Sequence, residues 1–225
     1  MSKFNIALDG PSGAGKSTIA DAVAAAYGLI HLDTGAMYRA IALTLDGENV
    51  PAEEGEALKE ALASIDLEMK EGKVIVNGQD VTTAIREPRV SALASKYSAL
   101  PSVRQKMVAL QQAIAKDKGY ILDGRDICDV VLPDAEVKLY LDAKPEARAK
   151  RRMLQDAEKG KIIPYEEVLA AIEARDLQDR TRKTDPLRVS KEAIVVDSSE
   201  LTLEQTIEAI QKIIEEKLQD SAKEA

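Results

Sequence analysis

The segment FNIALDGPSGAGKSTIADAVAAAY, residues 4–27, joins an apolar run, a glycine-rich turn and an alanine-rich run in immediate succession. Phe4–Leu8 predicts a short buried strand, and Ser17–Tyr27, which Gly28 stops, predicts a helix. The intervening Gly10–Ser17, GPSGAGKS, fits the pattern G-x-x-x-x-G-K-S/T in the strand–loop–helix context that this pattern requires. The segment therefore predicts the first strand and helix of an α/β protein.

The turn Gly10–Ser17 has the composition of a phosphate-binding P-loop. Its glycines allow consecutive backbone N–H groups to turn inward around phosphate oxygens, and the helix N-terminus adds positive potential. We expect Lys16 to reach the β- and γ-phosphates of ATP and the Ser17 hydroxyl to bind Mg²⁺. The predicted ATP-binding residues of this segment are Gly10, Pro11, Ser12, Gly13, Ala14, Gly15, Lys16, Ser17 and Thr18.

Further apolar runs predict additional strands that would form a sheet with the first one. These later strand candidates are Leu29–Leu32, Tyr120–Leu122, Val137–Leu141 and Ala193–Val196. Short, almost wholly apolar strands that alternate with helical patterns predict a buried parallel sheet of about five strands with helices on both faces.

The middle of the chain breaks this alternation. Leu67–Met69 and Val74–Val76 flank the turn sequence KEGK and predict a hairpin outside the main sheet. We therefore predict a P-loop core made of residues 1–33, 105–150 and 165–225, an inserted lobe at 34–104 and a short lid at 151–164.

Composition limits the classes of function that this chain can have. Of its 225 residues 31% are charged, and the net charge of −8 argues against a general nucleic-acid binder. The segment from Arg148 to Lys191 is an exception, with 12 basic against 8 acidic residues, and favours a small anionic ligand. The N-terminal sequence contains no apolar signal segment, no run is long enough for a membrane span, and Cys128 is the single cysteine. We expect a cytoplasmic monomer without membrane partners.

Polar residues follow two of the predicted strands where an open α/β sheet places its ligands. The second strand leads into DTGAMYR, residues 33–39, and the third leads into DGRD, residues 123–126. Tyr38, Arg39 and Arg125 could hold a second phosphate, because the guanidinium fork suits phosphate oxygens. Asp123 could act on Mg²⁺ through water. Arg39 could equally form a structural salt bridge.

One face of a predicted helix near residue 175 changes from apolar to charged along the helix. Val168 and Ile172 are spaced like an inward apolar stripe, and the same spacing continues through Arg175, Asp179 and Arg182. Residues at these intervals share a helix face, so charged groups replace core residues. We interpret this face as the wall of a cleft that is lined by solvent when no ligand is bound.

The motifs GPSGAGKST, LDTGAMYR, DGRD, RRMLQ and RDLQDRTR occur in an order that closely resembles the bacterial cytidylate kinases, a family of nucleoside monophosphate kinases. The resemblance covers essentially the whole chain and implies ATP-dependent phosphorylation of CMP and dCMP with Mg²⁺. It makes the inserted lobe the CMP-binding region and places Arg151 on the lid, where it reaches the ATP phosphates. Lys16, Arg125 and Arg151 are then the expected catalytic residues.

The resemblance also implies a CMP site. In this interpretation Arg39 and Arg125 hold the CMP phosphate, and Arg175 and Asp179 contact the sugar. The residues that match positions near the nucleoside are Thr34, Ser95, Arg104, Asp126 and Arg182. Two departures from the family pattern, Ser17 where many members have glycine and Thr34 where some have serine, keep or add a hydroxyl.

The chemistry of cytosine fits this polar set. Only 3% of the residues are aromatic, so we expect recognition by hydrogen bonds rather than by stacking. Asp126 can accept from the N4 amino group, and Arg104 or Arg182 can donate to N3 or O2. Uracil presents an acceptor at position 4, which a carboxylate rejects. CMP brings its own ionised phosphate oxygen as the nucleophile, so no general base is required.

Two other functions remain open from the residues alone. One is a P-loop kinase of a different nucleoside monophosphate or of a small hydroxyl compound, and for a hydroxyl acceptor a carboxylate such as Asp33 could assist. A regulator could sense ATP without transfer, although the arginines would then have no role. We expect His31 to be a structural residue and Cys128 to be a small buried residue.

Overall fold

Strands and helices alternate along the chain in the computed structural model, which describes residues 3–70, 72–158 and 160–224. The strands are β1 (Ile6–Asp9), β2 (Ile30–Asp33), β3 (Leu67–Lys70), β4 (Lys73–Val76), β5 (Gln79–Asp80), β6 (Tyr120–Gly124), β7 (Val137–Asp142) and β8 (Ile194–Asp197). The helices are α1 (Lys16–Tyr27), α2 (Thr34–Gly47), α3 (Glu56–Ser64), α4 (Pro88–Tyr97), α5 (Pro101–Ala115), α6 (Pro145–Glu158), α7 (Tyr165–Thr181) and α8 (Leu203–Glu224). A 3₁₀ turn at Ala84–Arg86 and a π-helical turn at Ile127–Val131 complete the described elements.

The predicted central sheet is confirmed. Within the described residues it contains five strands in the order β2-β6-β1-β7-β8. Strand β1 pairs in parallel with both β6 and β7, and β7 pairs in parallel with β8. The chain therefore leaves β1 at a point flanked by strands on both sides, which is where open α/β sheets bind ligands.

The two faces of β1 are covered differently. Ile6 and Leu8 are fully buried in the cluster that α1 and α8 supply. Side chains alternate across a strand, so Asp9 points to the opposite face. There its carboxylate accepts hydrogen bonds from the backbone N–H groups of Ile127 and Cys128 in the π-helical turn. Burial on both faces explains why β1 is almost wholly apolar.

The chain divides into two compact units, Leu32–Lys116 and Met1–His31 with Asp117–Ala225. We call the first the inserted unit and the second the core unit. The inserted unit thus extends beyond the 34–104 range of the sequence prediction. It includes α5, whose residues Val103 and Met107 are fully buried and which packs on α2 and α3.

The inserted unit has a sheet of its own. Strands β3 and β4 form the predicted antiparallel hairpin, and β5 pairs antiparallel with β4. Glu71 of the predicted turn lies outside the described residues. Helix α2 packs against α4, and the Lys106 ammonium of α5 donates to the carbonyls of Leu62 and Ile65 at the end of α3.

The predicted lid coincides partly with helix. Helix α6 extends to Glu158 and α7 begins at Tyr165, so eight of the 14 residues in the range 151–164 are helical and Lys159 lies outside the described residues. Helices α6 and α7 pack through Ala149, Val168 and Ile172. Among the residues that the structure describes, no helix is long and apolar enough to cross a membrane.

Candidate active site

The P-loop backbone requires glycine where it passes the sheet. At Gly10 φ is 153°, and a Cβ there would lie 2.1 Å from the Leu141 carbonyl oxygen of β7. Gly15 is left-handed, with φ of 95°, and begins α1 as its N-cap. The loop therefore lies tightly against β7 and turns directly into the helix. Ser17 and Thr18 are exposed at the start of α1.

Lys16 is buried beside its own loop. Its ammonium donates to the Pro11 carbonyl oxygen at 2.9 Å. Burial, together with the positive charge of Arg125, lowers the pKa of Lys16 to about 7, against the opposing charges of Asp123, Asp9 and Asp179. A phosphate anion in the loop would favour the charged ammonium. The geometry thus suits an anion-binding lysine.

Ser17 begins a continuous chain of polar contacts. Its hydroxyl donates to Asp123 Oδ2 at 2.9 Å, while Asp123 Oδ1 lies 2.9 Å from His31 Nε2. His31 Nδ1 lies 2.7 Å from Asp21 Oδ1 on α1. Burial opposes protonation of His31, but the hydrogen bonds and charges of Asp123 and Asp21 outweigh it and raise the His31 pKa to about 9. Despite its burial, Asp123 has a lowered pKa because of His31, Lys16 and Ser17.

Asp9 ends β1, and Cys128 lies in the π-helical turn whose backbone N–H groups bond to the Asp9 carboxylate. Burial raises the pKa of Asp9 to about 6, although backbone N–H groups of Cys128 and Ile127 stabilise its charge. Cys128 is 1% exposed, and burial followed by the charge of Asp9 raises the pKa of its thiol. The expectation that Cys128 is a small buried residue is confirmed, and its raised pKa makes it a poor nucleophile.

An arginine cluster centres on Asp179 of α7. Arg125 Nε donates to Asp179 Oδ2 at 2.9 Å, and Arg175 Nε donates to the same carboxylate at 3.4 Å. Burial would raise the pKa of Asp179, but the charges of Arg125 and Arg175 lower it. Asp179 therefore holds two of the predicted phosphate and sugar ligands together.

Arg182 lies just beyond helix α7, and its side chain is more buried than the sequence predicts. Helix α7 ends at Thr181, and Arg182 is its C-cap with an extended backbone. Its side chain is 7% exposed, lies 3.6 Å from Asp126 and donates to the carbonyl oxygen of Asp185. The prediction of a solvent-lined face at this position is wrong, because the chain folds back after the helix and its Asp185 carbonyl holds the guanidinium.

Asp126 lines a cavity of about 250 Å³ in the core unit. Its walls are dominated by charge, and the lining residues are Asp9, Arg125, Asp126, Asp129, Val130, Asp185, Pro186 and Arg188. The sequence prediction does not include Asp129, Asp185 or Arg188. Their proximity in sequence to DGRD and RDLQDRTR was the available signal.

Arg39 and Thr34 belong to the inserted unit. Arg39 Nη2 lies 3.2 Å from Asp33 Oδ2, and Arg86 lies 3.3 Å from the same oxygen. Asp33 Oδ1 accepts from the Ala36 N–H at 2.7 Å and so caps α2. The salt bridge that the sequence left open for Arg39 is thus present. Thr34 is buried at the first position of α2.

Tyr38, Ser95 and Arg104 also lie in the inserted unit. The Arg104 guanidinium lies over the Tyr38 ring, 5.6 Å from its centroid, and donates to the Ser98 carbonyl oxygen at 3.3 Å. The Ser95 hydroxyl donates to the Ser91 carbonyl oxygen at 3.1 Å. The structure therefore brings Tyr38 and Arg104 together, and Ser95 bonds within its own helix.

Arg151 and Arg148 of α6 have different surroundings. Arg151 Nη1 donates to Ser198 Oγ at 3.2 Å, and Nη2 donates to the Ser198 carbonyl, so the side chain lies on the loop after β8. Contact of Arg151 with ATP stays a prediction. Arg148 is 1% exposed and donates to the Ser12 carbonyl of the P-loop at 3.0 Å. Arg148 is therefore not part of a solvated helix face, and its guanidinium pairs with buried Asp176.

Comparisons with known proteins identify the same family as the sequence motifs. The family model for cytidylate kinase matches residues 6–216. A cytidylate kinase from Caldicellulosiruptor saccharolyticus is 50% identical over 219 residues, which cover 96% of each chain. A cytidylate kinase from Fusobacterium nucleatum is 44% identical over 215 residues, 96% of this chain and 99% of that one.

Solved structures agree on the fold. A gluconokinase from Sinorhizobium meliloti matches with a TM-score of 0.50 and 15% identity, over 100% of this chain and 99% of that chain. An uncharacterized protein from Eubacterium ventriosum matches with a TM-score of 0.55 and 10% identity, over 95% and 99% of the two chains. At these identities the likeness concerns the fold alone.

Proposed function

Because the chain belongs to the cytidylate kinase family, we propose that it phosphorylates CMP and dCMP to the diphosphates with ATP as donor. One observation of the structure carries this proposal. Ser17, which follows Lys16 at the start of α1, donates to Asp123 at 2.9 Å, and Arg125 lies two residues beyond Asp123, just after β6. Arg125 in turn shares Asp179 with Arg175. The core unit thus holds two adjacent cationic groups, which suits one phosphate from each of two nucleotides.

Phosphoryl transfer between two phosphates needs alignment and charge neutralisation. An ionised oxygen of the CMP phosphate forms a bond to the γ-phosphorus of ATP. The bond from that phosphorus to the β–γ bridging oxygen breaks, and its electron pair leaves with ADP. Lys16 holds the donor phosphates, and Arg125 offsets the charge of the acceptor. Arg151 would have to leave Ser198 to contact ATP, as the family resemblance implies.

Ser17 and Asp123 fit the Mg²⁺ that the family implies. A hydroxyl and a carboxylate are hard oxygen ligands, and Mg²⁺ keeps several waters and binds substrate phosphates besides one or two protein oxygens. No group of three or more His, Cys, Asp or Glu residues in the described chain could form a fuller protein cage. When bound, the ion would reduce the negative charge of the ATP phosphates.

Recognition of cytosine rests on Asp126 in this proposal. Its carboxylate lines the cavity of about 250 Å³ beside Arg125. A carboxylate accepts from the N4 amino group of cytosine and repels the O4 acceptor of uracil. Arg182 lies 3.6 Å from Asp126, so it orients this carboxylate and could donate to N3 or O2.

A kinase of a small hydroxyl compound is the rival activity. It would recruit Asp33 to assist the hydroxyl. Arg39 and Arg86 already occupy Asp33 Oδ2, and the cap of α2 occupies Oδ1. Both oxygens of the Asp33 carboxylate are therefore already engaged within the protein, which disfavours its use on a substrate hydroxyl. The structure thus favours a phosphorylated acceptor.

A coupled assay of ADP release tests the proposal. We expect turnover with CMP and dCMP, slower turnover with UMP and AMP, and none above background with shikimate. The variant Asp126→Asn should lose discrimination between CMP and UMP, because the amide can donate to O4 of uracil. ADP release only with hydroxyl acceptors would support the rival kinase. ATP binding without release with any acceptor would indicate a regulator.

A further inference from the structure

Arg148 joins three parts of the core unit besides its own helix α6. Its Nε donates to the Ala143 carbonyl oxygen after β7 at 2.8 Å, and its Nη1 donates to the Ser12 carbonyl oxygen of the P-loop at 3.0 Å. The guanidinium also binds Asp176 of α7 through two parallel bonds of 3.1 and 2.6 Å. A Cβ on Gly13 would lie 3.6 Å from the Arg148 Cβ, so the P-loop rests directly on this residue.

The bond to Ser12 bears on the function of the P-loop. A P-loop binds phosphate through backbone N–H groups that point inward. A carbonyl in the same loop must point elsewhere, since it would repel phosphate oxygens. Arg148 donates to the Ser12 carbonyl oxygen and so favours a loop conformation in which the neighbouring N–H groups point inward.

The bond to Asp176 connects Arg148 with the residues that we assign to the acceptor phosphate. Asp176 and Asp179 lie one turn apart on α7, and both are buried. Asp176 binds Arg148, and Asp179 binds Arg125 and Arg175. One helix therefore connects the P-loop, through Arg148, with the arginines that we assign to the acceptor.

We infer that the Arg148–Asp176 pair is a positioning device that sets the spacing between the donor-phosphate and acceptor-phosphate sites. The inference rests on the proposed function and adds two residues that touch neither substrate. The planar fork is required, because one guanidinium must reach the Ser12 carbonyl, the Ala143 carbonyl and the carboxylate together. Lysine at position 148 keeps the charge but has no such fork.

A positioning role and a purely structural role of the Arg148–Asp176 pair predict different coupling between the ATP and CMP sites. A bisubstrate compound, adenosine and cytidine joined by five phosphates, binds tightly only where the two sites keep their spacing. We define the linkage ratio as the affinity for this compound divided by the product of the separate affinities for ATP and CMP. Loss of stability alone leaves this ratio unchanged at a temperature where the variant is folded.

The experiment compares Asp176→Asn, Arg148→Lys and the double variant Arg148→Met/Asp176→Leu with the wild type by titration calorimetry and turnover. The double variant removes both charges, so it leaves no buried unpaired ion if a single variant fails to fold. Glu192→Gln is the control, since it breaks the ion pair of the exposed Glu192 carboxylate with Lys138 just before β8, away from the strand ends that bind ligands.

We expect each test variant to lower the linkage ratio at least about fivefold and kcat up to about 100-fold, because small misplacements of reacting groups are costly. Separate affinities for ATP and CMP should change less, and the control should match the wild type. A wild-type linkage ratio in the folded double variant would overturn the inference. Failure of the wild type itself to phosphorylate CMP would instead overturn the proposed function.

Discussion

At the scale of single residues, buried charge distinguishes the P-loop lysine from surface lysines. Lys16 is 6% exposed, and its ammonium donates to the Pro11 carbonyl oxygen of its own loop. Such a group is held in place for an incoming anion. The acceptor arginines are separate side chains just after β6 and on α7, so each phosphate has its own ligands.

Replacement of Lys16 with alanine tests this separation. We expect Lys16→Ala to reduce kcat by at least about 100-fold, because it removes a preorganised donor to the moving phosphoryl group. CMP binding, measured by titration calorimetry, should remain within a few-fold of the wild type. Loss of CMP binding in a folded variant would contradict separate phosphate sites.

His31 makes stability depend on pH. Its pKa is raised from 6.5 to about 9, so protonation is more favourable in the folded chain than in the unfolded one. The resulting stabilisation is fully present below the unfolded pKa of about 6.5 and disappears as the pH rises through about 9. Its upper size is about 3 kcal/mol.

We therefore predict that His31→Leu is less stable than the wild type at pH 6 and approaches it above pH 9. Chemical denaturation in EDTA without nucleotide, from pH 6 to 9.5, measures the difference. Asp21→Asn is the companion variant and should show a smaller change, because Asp21 is exposed while Asp123 remains. A pH-independent difference for His31→Leu would exclude this linkage.

At the scale of elements, helix α7 changes from core to site along its length. Val168 and Ile172 pack on α6, and one and two turns later Asp176 and Asp179 are buried by ion pairs. The periodicity of the sequence predicts this change and places Arg175 and Asp179 on the charged face. It does not predict a site role for Asp176. The omission arose because Asp176 is buried by Arg148, 28 residues earlier in the chain.

Opposite faces of α7 provide a matched pair of arginine variants. We expect Arg175→Ala to raise the KM for CMP about tenfold, since it removes one charged hydrogen-bond donor from the acceptor group. Arg180→Ala on the exposed face should leave the KM unchanged. The free energy of unfolding should fall by less than about 1 kcal/mol in both, because Asp179 keeps Arg125. Equal KM values in the two variants would remove α7 from the CMP site.

At the scale of the whole molecule, the proposal requires room for two nucleotides at once. Each ligand that binds the folded chain stabilises it by an amount set by its own concentration and affinity. ATP with Mg²⁺ and CMP, each at 100 times its dissociation constant, should each add about 2.7 kcal/mol.

Thermal denaturation with each nucleotide alone and with both measures this additivity. The ATP analogue with a non-hydrolysable β–γ bond prevents turnover during the measurement. We expect the increase in Tm with both ligands to equal or exceed the sum of the separate increases. An increase no larger than that of the better ligand would mean a single shared site.

The sequence by itself determined what depends on local backbone geometry and on the pattern of apolar residues. The glycines of GPSGAGKS specify the loop, and short apolar runs specify the five parallel strands. The motifs also sufficed to identify the family, because their order spans the chain. These features need only neighbours in sequence or a repeated spacing.

Only the tertiary structure decided which charged groups meet. The burial of Arg148 on the P-loop, the position of Arg151 on the loop after β8 and the burial of Arg182 against Asp126 all join residues far apart in the chain. A charged residue carries no local sign of its partner. Its exposure and pKa follow from the helices and strands that fold around it, and for that reason these assignments could not come from spacing alone.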